Sequence, residues 1–77
     1  SGVDLEAAAG SHILAVADGT VVESGYNEAY GYMVILEHAG GVQTFYAHMT
    51  DYLVLTGDTV QQGQIIGTVG STPRRYD

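Results

Sequence analysis

Residues 31–48 read GYMVILEHAGGVQTFYAH, two strand-length apolar segments on either side of Gly40-Gly41. Aromatic and β-branched residues favour strands, and a Gly-Gly pair between two such segments is typical of a two-residue hairpin turn. This turn predicts the residue pairs Ala39 with Val42, Ile35 with Tyr46, and Met33 with His48. The segment therefore predicts an antiparallel hairpin in one defined register.

The predicted register divides the hairpin into two faces, because successive side chains on a strand point to opposite sides. A core face would hold Val34, Leu36, Phe45 and Ala47. A mixed face would hold Met33, Ile35, Tyr46 and His48. A histidine beside a tyrosine on a mixed face can line a groove, so His48 is the histidine with a geometric argument for function.

Outward from this hairpin, the chain is divided into short apolar segments by its glycines. The sequence contains 11 glycines and one proline, Pro73. Further strands are predicted at residues 12–16, 20–23 and 64–69, with short pieces at 54–55 and 60. A faint repeat relates residues 18–21 to residues 57–60. Only residues 49–53 have helical potential, about one turn, so the pattern predicts an all-β fold.

Composition limits the classes of function. The chain has 77 residues, which suffices for one small domain, and a net charge of −7. An acidic chain with two basic residues, Arg74 and Arg75, would repel phosphate backbones, so we expect no nucleic-acid partner. The apolar runs are too short to cross a bilayer, and we expect no membrane insertion. No signal peptide is visible, and the absence of cysteine excludes thiolate chemistry.

Histidines and carboxylates are the remaining candidates for chemistry. His12, His38 and His48 show no paired spacing typical of a metal site. His38 lies beside the predicted turn, about 17 Å along the strand from the partner of His48, so these two histidines cannot share a metal. We expect His12 to face solvent and His38 to end a strand and form local hydrogen bonds. The dispersed acidic residues are interpreted as turn residues and a solvated face.

Several segments together resemble the lysostaphin/LytM-type zinc endopeptidases, which cut peptidoglycan peptides. The first is residues 2–7, GVDLEA, and the others are residues 13–22, 31–38, 44–49, 57–60 and 63–72. They cover nearly the whole chain in the order of the family. The resemblance implies an antiparallel barrel-sandwich hybrid (duplicated hybrid motif-like) fold, with residues 1–77 as a single partial peptidase domain. It also implies a location in the cell envelope, periplasmic or extracellular, or in a phage virion.

The resemblance assigns roles to four residues. Asp4 matches the aspartate of the family's His-x-x-x-Asp motif and is expected to bind zinc. His48 matches the histidine of Tyr-Ala-His, which acts beside the metal as a general base or transition-state stabiliser. Tyr30 and Tyr32 match one wall of the substrate groove and are expected to bind the peptide. His38 matches a histidine that is not a ligand in the family.

The resemblance also leaves two zinc histidines unmatched, one directly before Ser1 and one in a His-x-His pair after Asp77. We therefore expect Zn²⁺ in the complete domain and no hydrolysis by the 77-residue chain itself. The alternative is a degenerate, non-catalytic module that binds peptidoglycan or regulates a partner hydrolase. Residues 57–66 are also similar to biotin and lipoate carriers, but these need a lysine, which this chain lacks. A sugar-phosphotransferase domain would need two facing histidines, and His38 and His48 do not face each other in the predicted hairpin.

Overall fold

The computed structural model describes residues 4–5 and 11–69, and seven strands lie within them. They are β1 (Asp4–Leu5), β2 (Ser11–Leu14), β3 (Gly19–Asn27), β4 (Gly31–Glu37), β5 (Gln43–Tyr52), β6 (Thr59–Val60) and β7 (Ile65–Val69). They form one sheet in the order β2-β7-β5-β4-β3-β6, and β1 pairs with β5. All described pairs are antiparallel except β1 with β5. The predicted all-β antiparallel fold is confirmed.

The core follows the period of two that apolar residues show along the strands. Its fully buried side chains are Tyr46, Leu36, Ile66, Val21 and Val34. Ile13, Ala15, Met49, Val54 and Val60 complete the cluster. No helix among the described residues is long and apolar enough to cross a membrane.

The faint repeat in the sequence has a structural counterpart, because its two copies pair with each other. Gly19 pairs with Val60 and Thr20 pairs with Thr59 in the antiparallel contact between β3 and β6. The backbone N–H of Val21 also donates to the Asp58 carbonyl oxygen over 2.8 Å. Both copies place a valine in the core, so similar turn-and-strand segments close one edge of the sheet.

The β4–β5 turn is longer than predicted. The chain reverses through a 3₁₀ turn at Ala39–Gly41, and the backbone N–H of His38 donates to the Val42 carbonyl oxygen over 2.7 Å. The closing pair His38–Val42 therefore encloses three residues, where the predicted closing pair Ala39–Val42 encloses two. Gly40 and Gly41 both have positive φ, 78° and 79°, a conformation that glycine adopts without steric cost. The prediction that Ala39 pairs with Val42 was wrong.

The additional turn residue shifts the register by one and exchanges the two faces of β5, whereas Val34 and Leu36 of β4 are buried in the core as predicted. Tyr46 pairs with Val34, not with Ile35. Tyr46 and Met33, predicted on the mixed face, are buried, while Phe45 and Ala47, predicted in the core, are half-buried. In the observed core, Val34 pairs with Tyr46 and Leu36 pairs with Thr44.

Residues 49–53 do not form a helical turn, because β5 continues to Tyr52. Met49, Asp51 and Tyr52 pair with β7, which satisfies backbone groups that a single helical turn would leave unpaired. The predicted strands at residues 12–16, 20–23 and 64–69 correspond to β2, β3 and β7. The interpretation of residues 73–75 as an exposed loop lies outside the described residues.

Candidate functional site

His48 lies in a β-bulge at the middle of β5. The β4–β5 register shifts between the pairs Val34–Tyr46 and Tyr32–Met49, so two residues of β5 lie opposite the single residue Met33. His48 has φ 57°, and it is the described non-glycine residue with positive φ. Residues other than glycine rarely adopt this backbone conformation, and those that do are concentrated at functional sites. The bulge holds the imidazole exposed to solvent instead of in the core.

The bulge is held by a backbone contact with the residues that precede β4. The N–H of His48 donates to the Tyr30 carbonyl oxygen over 2.8 Å. A Cβ added at Gly31, whose φ is 72°, would lie 3.7 Å from the His48 Cα. The two chain segments therefore approach closely, and the backbone at His48 is defined by contacts to a second strand.

The strand beside β5 changes at the bulge. On the side away from β4, Phe45 and Tyr46 pair with β1, whereas Met49, Asp51 and Tyr52 pair with β7. His48 lies between these two partners. Asp4 pairs with Phe45, three positions before His48, which corresponds to about 10 Å along the strand. The backbones of the two residues that the sequence assigns to the site thus lie on neighbouring strands, and the Asp4 side chain lies outside the described part.

Tyr30 and Tyr32 flank the bulge and are exposed. Tyr30 ends a turn in which the Asn27 Oδ1 accepts hydrogen bonds from the N–H groups of Ala29 and Tyr30, over 2.7 and 3.1 Å. This side chain-to-backbone pattern is an Asx turn, which fixes the connection between β3 and β4. Tyr32 pairs with Met49, the residue after His48. Both tyrosines are therefore close to the bulge in the strand register.

Two further tyrosines, which the sequence did not indicate, join Tyr32. The ring centroid of Tyr26 lies 5.4 Å from that of Tyr32, at an interplanar angle of 72°. The Tyr52 centroid lies 5.8 Å from that of Tyr32, at 42°. We call Tyr26, Tyr32 and Tyr52 the tyrosine cluster. The signal that could have found Tyr26 is the turn at Asn27, because a hairpin closed by residues 28–30 pairs Tyr26 with Tyr32.

Known protein families include one that matches nearly the whole of this chain. The model of Peptidase family M23 matches residues 1–76. The chain belongs to peptidase family M23. This confirms the resemblance to lysostaphin/LytM-type endopeptidases. The solution NMR structure of lysostaphin matches 87% of this M23 chain with a TM-score of 0.74 and 38% identity, and the match covers 28% of that chain.

Curated relatives of the M23 chain are much longer than 77 residues. Peptidoglycan DD-endopeptidase ShyC of Vibrio cholerae is 44% identical over 73 residues, which is 95% of this chain and 17% of that protein. Murein hydrolase activator EnvC of Escherichia coli is 35% identical over 71 residues, 92% of this chain and 17% of that protein. The M23 chain thus spans about a sixth of the length of these relatives.

The other two histidines of the M23 chain have different surroundings. His12 is exposed on β2, as predicted. His38 directly follows the last residue of β4, close to its predicted place at a strand end, but its ring does not bond only locally, because it connects two distant parts of the chain. Its Nδ1 lies 2.8 Å from the Asp18 carbonyl oxygen, which only accepts, so Nδ1–H is the donor. Its Nε2 lies 2.8 Å from the Thr44 Oγ1.

Thr44 continues this hydrogen-bond chain into the core. Its hydroxyl lies 2.8 Å from the Tyr46 hydroxyl, which accepts a hydrogen bond from the Val16 N–H over 3.2 Å. A threonine hydroxyl has one proton, so it donates to one of its two neighbours and accepts from the other. This series of hydrogen bonds, from Asp18 through His38 and Thr44 to Tyr46, satisfies the hydroxyl groups of the buried residues Thr44 and Tyr46. Its residues have a structural role, separate from the bulge at His48.

The described residues do not by themselves form a metal site. No group of three or more histidine, cysteine, aspartate or glutamate residues within 4–5 and 11–69 is placed to hold a metal ion. His38 is engaged with Asp18 and Thr44, and His12 lies on a different strand from His48. We therefore assign no reaction step to a metal held by the described residues.

Proposed function

We propose that this M23 chain is part of a zinc-dependent endopeptidase that cleaves peptide cross-links of peptidoglycan in the cell envelope. Membership of family M23 supports peptidase chemistry. The name of ShyC, a peptidoglycan DD-endopeptidase, supports the substrate class. The observation that carries the proposal is His48, an exposed imidazole at φ 57° in the bulge where β5 exchanges β1 for β7.

In this proposal His48 acts on the scissile peptide directly. An imidazole nitrogen can accept a proton from the attacking water or donate a hydrogen bond to the oxyanion that develops on the carbonyl. The bulge contributes by fixing the backbone of His48 through its bond to Tyr30, so that little ordering is left for the transition state. Tyr30 and Tyr32 would contact the peptide on the β4 side of this histidine.

Asp4 is proposed as one zinc ligand. Its position on β1, beside Phe45, places it on the strand next to the one that carries His48. The other ligands of the proposed zinc are not among the described residues, so the mechanism is derived for His48 alone. The proposed location in the periplasm or outside the cell, or in a phage virion, follows from the substrate.

A second candidate function is supported by one relative. The similarity to the murein hydrolase activator EnvC favours a non-catalytic module that binds peptidoglycan or regulates a partner hydrolase. In that case Asp4 and His48 would have no role in hydrolysis. The same experiment separates the two functions.

The experiment compares peptidoglycan digestion by the native polypeptide that carries this segment, as wild type and as the variants Asp4→Asn and His48→Gln. Released muropeptides are analysed by mass spectrometry, and bound metal is measured by elemental analysis. We expect Asp4→Asn to lose zinc and activity. His48→Gln should retain zinc while kcat falls by about 10²–10⁴-fold. His12→Gln, an exposed histidine on β2, is the matched control.

The outcomes are decisive in either direction. Cleavage of stem-peptide cross-links that depends on His48 and Asp4 supports the endopeptidase. Wild-type polypeptide that binds peptidoglycan, or stimulates a partner hydrolase, without releasing muropeptides would overturn it in favour of the second candidate.

A further inference from the structure

The tyrosine cluster presents three rings at large mutual angles on the surface. Tyr26 is 66% exposed and Tyr32 is 41% exposed, while Tyr52 is half-buried and packs against the core. Tyr26 meets Tyr32 at 72° and Tyr52 meets Tyr32 at 42°. Tyr52 packs against the core, and Tyr32 lies between the other two rings, so the core supports the positions of the rings. Rings inclined in this way form the walls of a shallow corner.

The charged side chains of the described part of the chain are of one sign. All six charged residues among 11–69 are acidic, namely Asp18, Glu23, Glu28, Glu37, Asp51 and Asp58, and all six are exposed. Glu28 follows Tyr26 by two residues in the turn to β4 and is the acidic residue nearest to the cluster in the sequence of that hairpin. The faces of aromatic rings carry partial negative charge, which attracts cations positioned above them. Both features favour a positively charged ligand.

From the ring geometry and the charge we infer that the tyrosine cluster is a binding subsite for an organic ammonium group, such as the primary ammonium of a peptide side chain. Aromatic corners of this kind recognise alkylammonium ions through cation–π attraction. Within the described residues none of the three hydroxyl groups takes part in a hydrogen bond to protein, so each can bond the peptide that carries the ammonium.

The geometry disfavours a saccharide as the occupant. A pyranose ring stacks on a flat aromatic face, but the rings of Tyr26 and Tyr32 are inclined at 72° and present no common plane. An uncharged sugar also gains nothing from the acidic surroundings. A glycan is therefore an alternative outcome of the experiment and not the expected ligand.

The cluster lies beside the candidate site, and this inference deepens the proposed function and rests on it for the identity of the peptide. Tyr32 pairs with Met49, the residue that follows His48. A peptide whose backbone passes His48 could place an ammonium-bearing side chain over Tyr32. The subsite would then select peptides that carry a free amino group close to the scissile bond.

The experiment is a two-dimensional ¹H–¹³C NMR titration of the 77-residue chain with ¹³C-labelled tyrosine rings. The probes are N-acetyl-lysine amide, the nearly isosteric but uncharged N-acetyl-norleucine amide, and the disaccharide of N-acetylglucosamine. We expect the lysine probe to shift the ring signals of Tyr26, Tyr32 and Tyr52, and its ε-methylene protons to shift upfield. The norleucine and sugar probes should leave those signals in place.

Two variants at the most exposed ring keep the inference falsifiable. Tyr26→Leu removes one wall and should weaken lysine binding about two- to fivefold, the equivalent of the 0.5–1 kcal/mol typical of an exposed cation–π contact. Tyr26→Phe keeps the ring and should bind the lysine probe within about twofold of wild type. Tyr26 is 66% exposed, and the amide spectrum verifies that both variants are folded.

Equal ring shifts with lysine and norleucine, or shifts with the sugar alone, would overturn the inference. The titration involves no hydrolysis, so its outcome is independent of the muropeptide assay. If the native polypeptide cleaves peptidoglycan but the titration shows no preference for the lysine probe, the subsite is refuted and the endopeptidase is supported. If the titration shows a preference for the lysine probe but the native polypeptide cleaves nothing, the endopeptidase is refuted and the subsite is supported.

Discussion

The N–H of His48 donates a hydrogen bond to the carbonyl oxygen of Tyr30 over 2.8 Å, and this bond spans the bulge in β5. The residue that ends the β3–β4 turn and the exposed imidazole are thus held in one unit. Because the unit depends on a positive φ at His48, backbone conformation and proposed function can be tested at the same position.

Replacement of His48 by glycine and by alanine separates its backbone role from its side-chain role. Left-handed backbone costs an L-residue about 1–2 kcal/mol, a cost that glycine does not have. We expect His48→Gly to be more stable than His48→Ala by about 1 kcal/mol in urea denaturation. Equal stability of the two variants would contradict the positive φ. Both variants should lose hydrolysis in the native polypeptide.

A double-mutant cycle tests the hydrogen bond between the Thr44 and Tyr46 hydroxyls. Thr44→Val should cost about 1–3 kcal/mol, because it leaves the His38 Nε2 and the Tyr46 hydroxyl without that partner. Tyr46→Phe should cost about 1–2 kcal/mol, since the Val16 N–H loses its acceptor. The double variant should lose less than the sum by about 0.5 kcal/mol or more. Strict additivity would show that the two hydroxyls do not interact.

Gly67 is predicted to exclude any larger residue. A Cβ at this position would overlap the Met49 methyl group and lie 2.6 Å from the Asp51 carbonyl oxygen. We expect Gly67→Ala to lower the free energy of unfolding by about 1–3 kcal/mol. Met49→Ala should not rescue Gly67→Ala, because the second obstacle is a backbone oxygen of the paired strand. Recovery in the double variant would assign the whole effect to the methionine.

Asp18 connects distant parts of the chain and should contribute to stability although it is exposed. Its Oδ1 accepts a hydrogen bond from the Gln62 N–H over 2.7 Å. We expect Asp18→Ala to cost about 1 kcal/mol in thermal or urea unfolding, and Asp18→Asn, which keeps an acceptor oxygen, to cost less. Glu23→Ala is the control, an exposed acid on β3 expected to change stability by less than about 0.5 kcal/mol.

The strands of this fold were predictable because their signals are local. Apolar alternation and glycine spacing located β2, β3, β4 and β7 and placed His12 in solvent, although β3 continues four residues beyond the predicted end at residue 23 and residues 54–55 form no strand. The error at residues 49–53 arose because pairing with β7, 15 or more residues away in the chain, determines the conformation of β5 beyond His48. Local propensity does not contain that partner.

The register of the hairpin was not predictable from its glycines alone. Gly40-Gly41 suits a two-residue turn, but the observed closing residues are His38 and Val42. His38 also bonds the Asp18 carbonyl oxygen on one side and Thr44 on the other. These contacts favour the three-residue turn, and they depend on a segment 20 residues earlier in the chain.

His48 shows what the sequence could predict and what it could not. Its selection from the sequence rested on a register that was wrong by one position, and on a resemblance to the Tyr-Ala-His motif. The bulge then adds one residue to β5, which restores the pairing of Tyr32 with Met49 and leaves His48 exposed. The assignment of Asp4, His48, Tyr30 and Tyr32 to a site remains a prediction.

The sequence by itself determined the all-β class and the family, and it supplied the site residues that we propose, because these follow from side-chain type and short-range order. Only the tertiary structure decided the register, the bulge, the His38 hydrogen-bond chain and the meeting of Tyr26, Tyr32 and Tyr52. Each of these depends on which strands lie side by side. Side chains alternate with a period of two, so one extra residue in a turn exchanges core and surface, and long-range contacts select between the two arrangements.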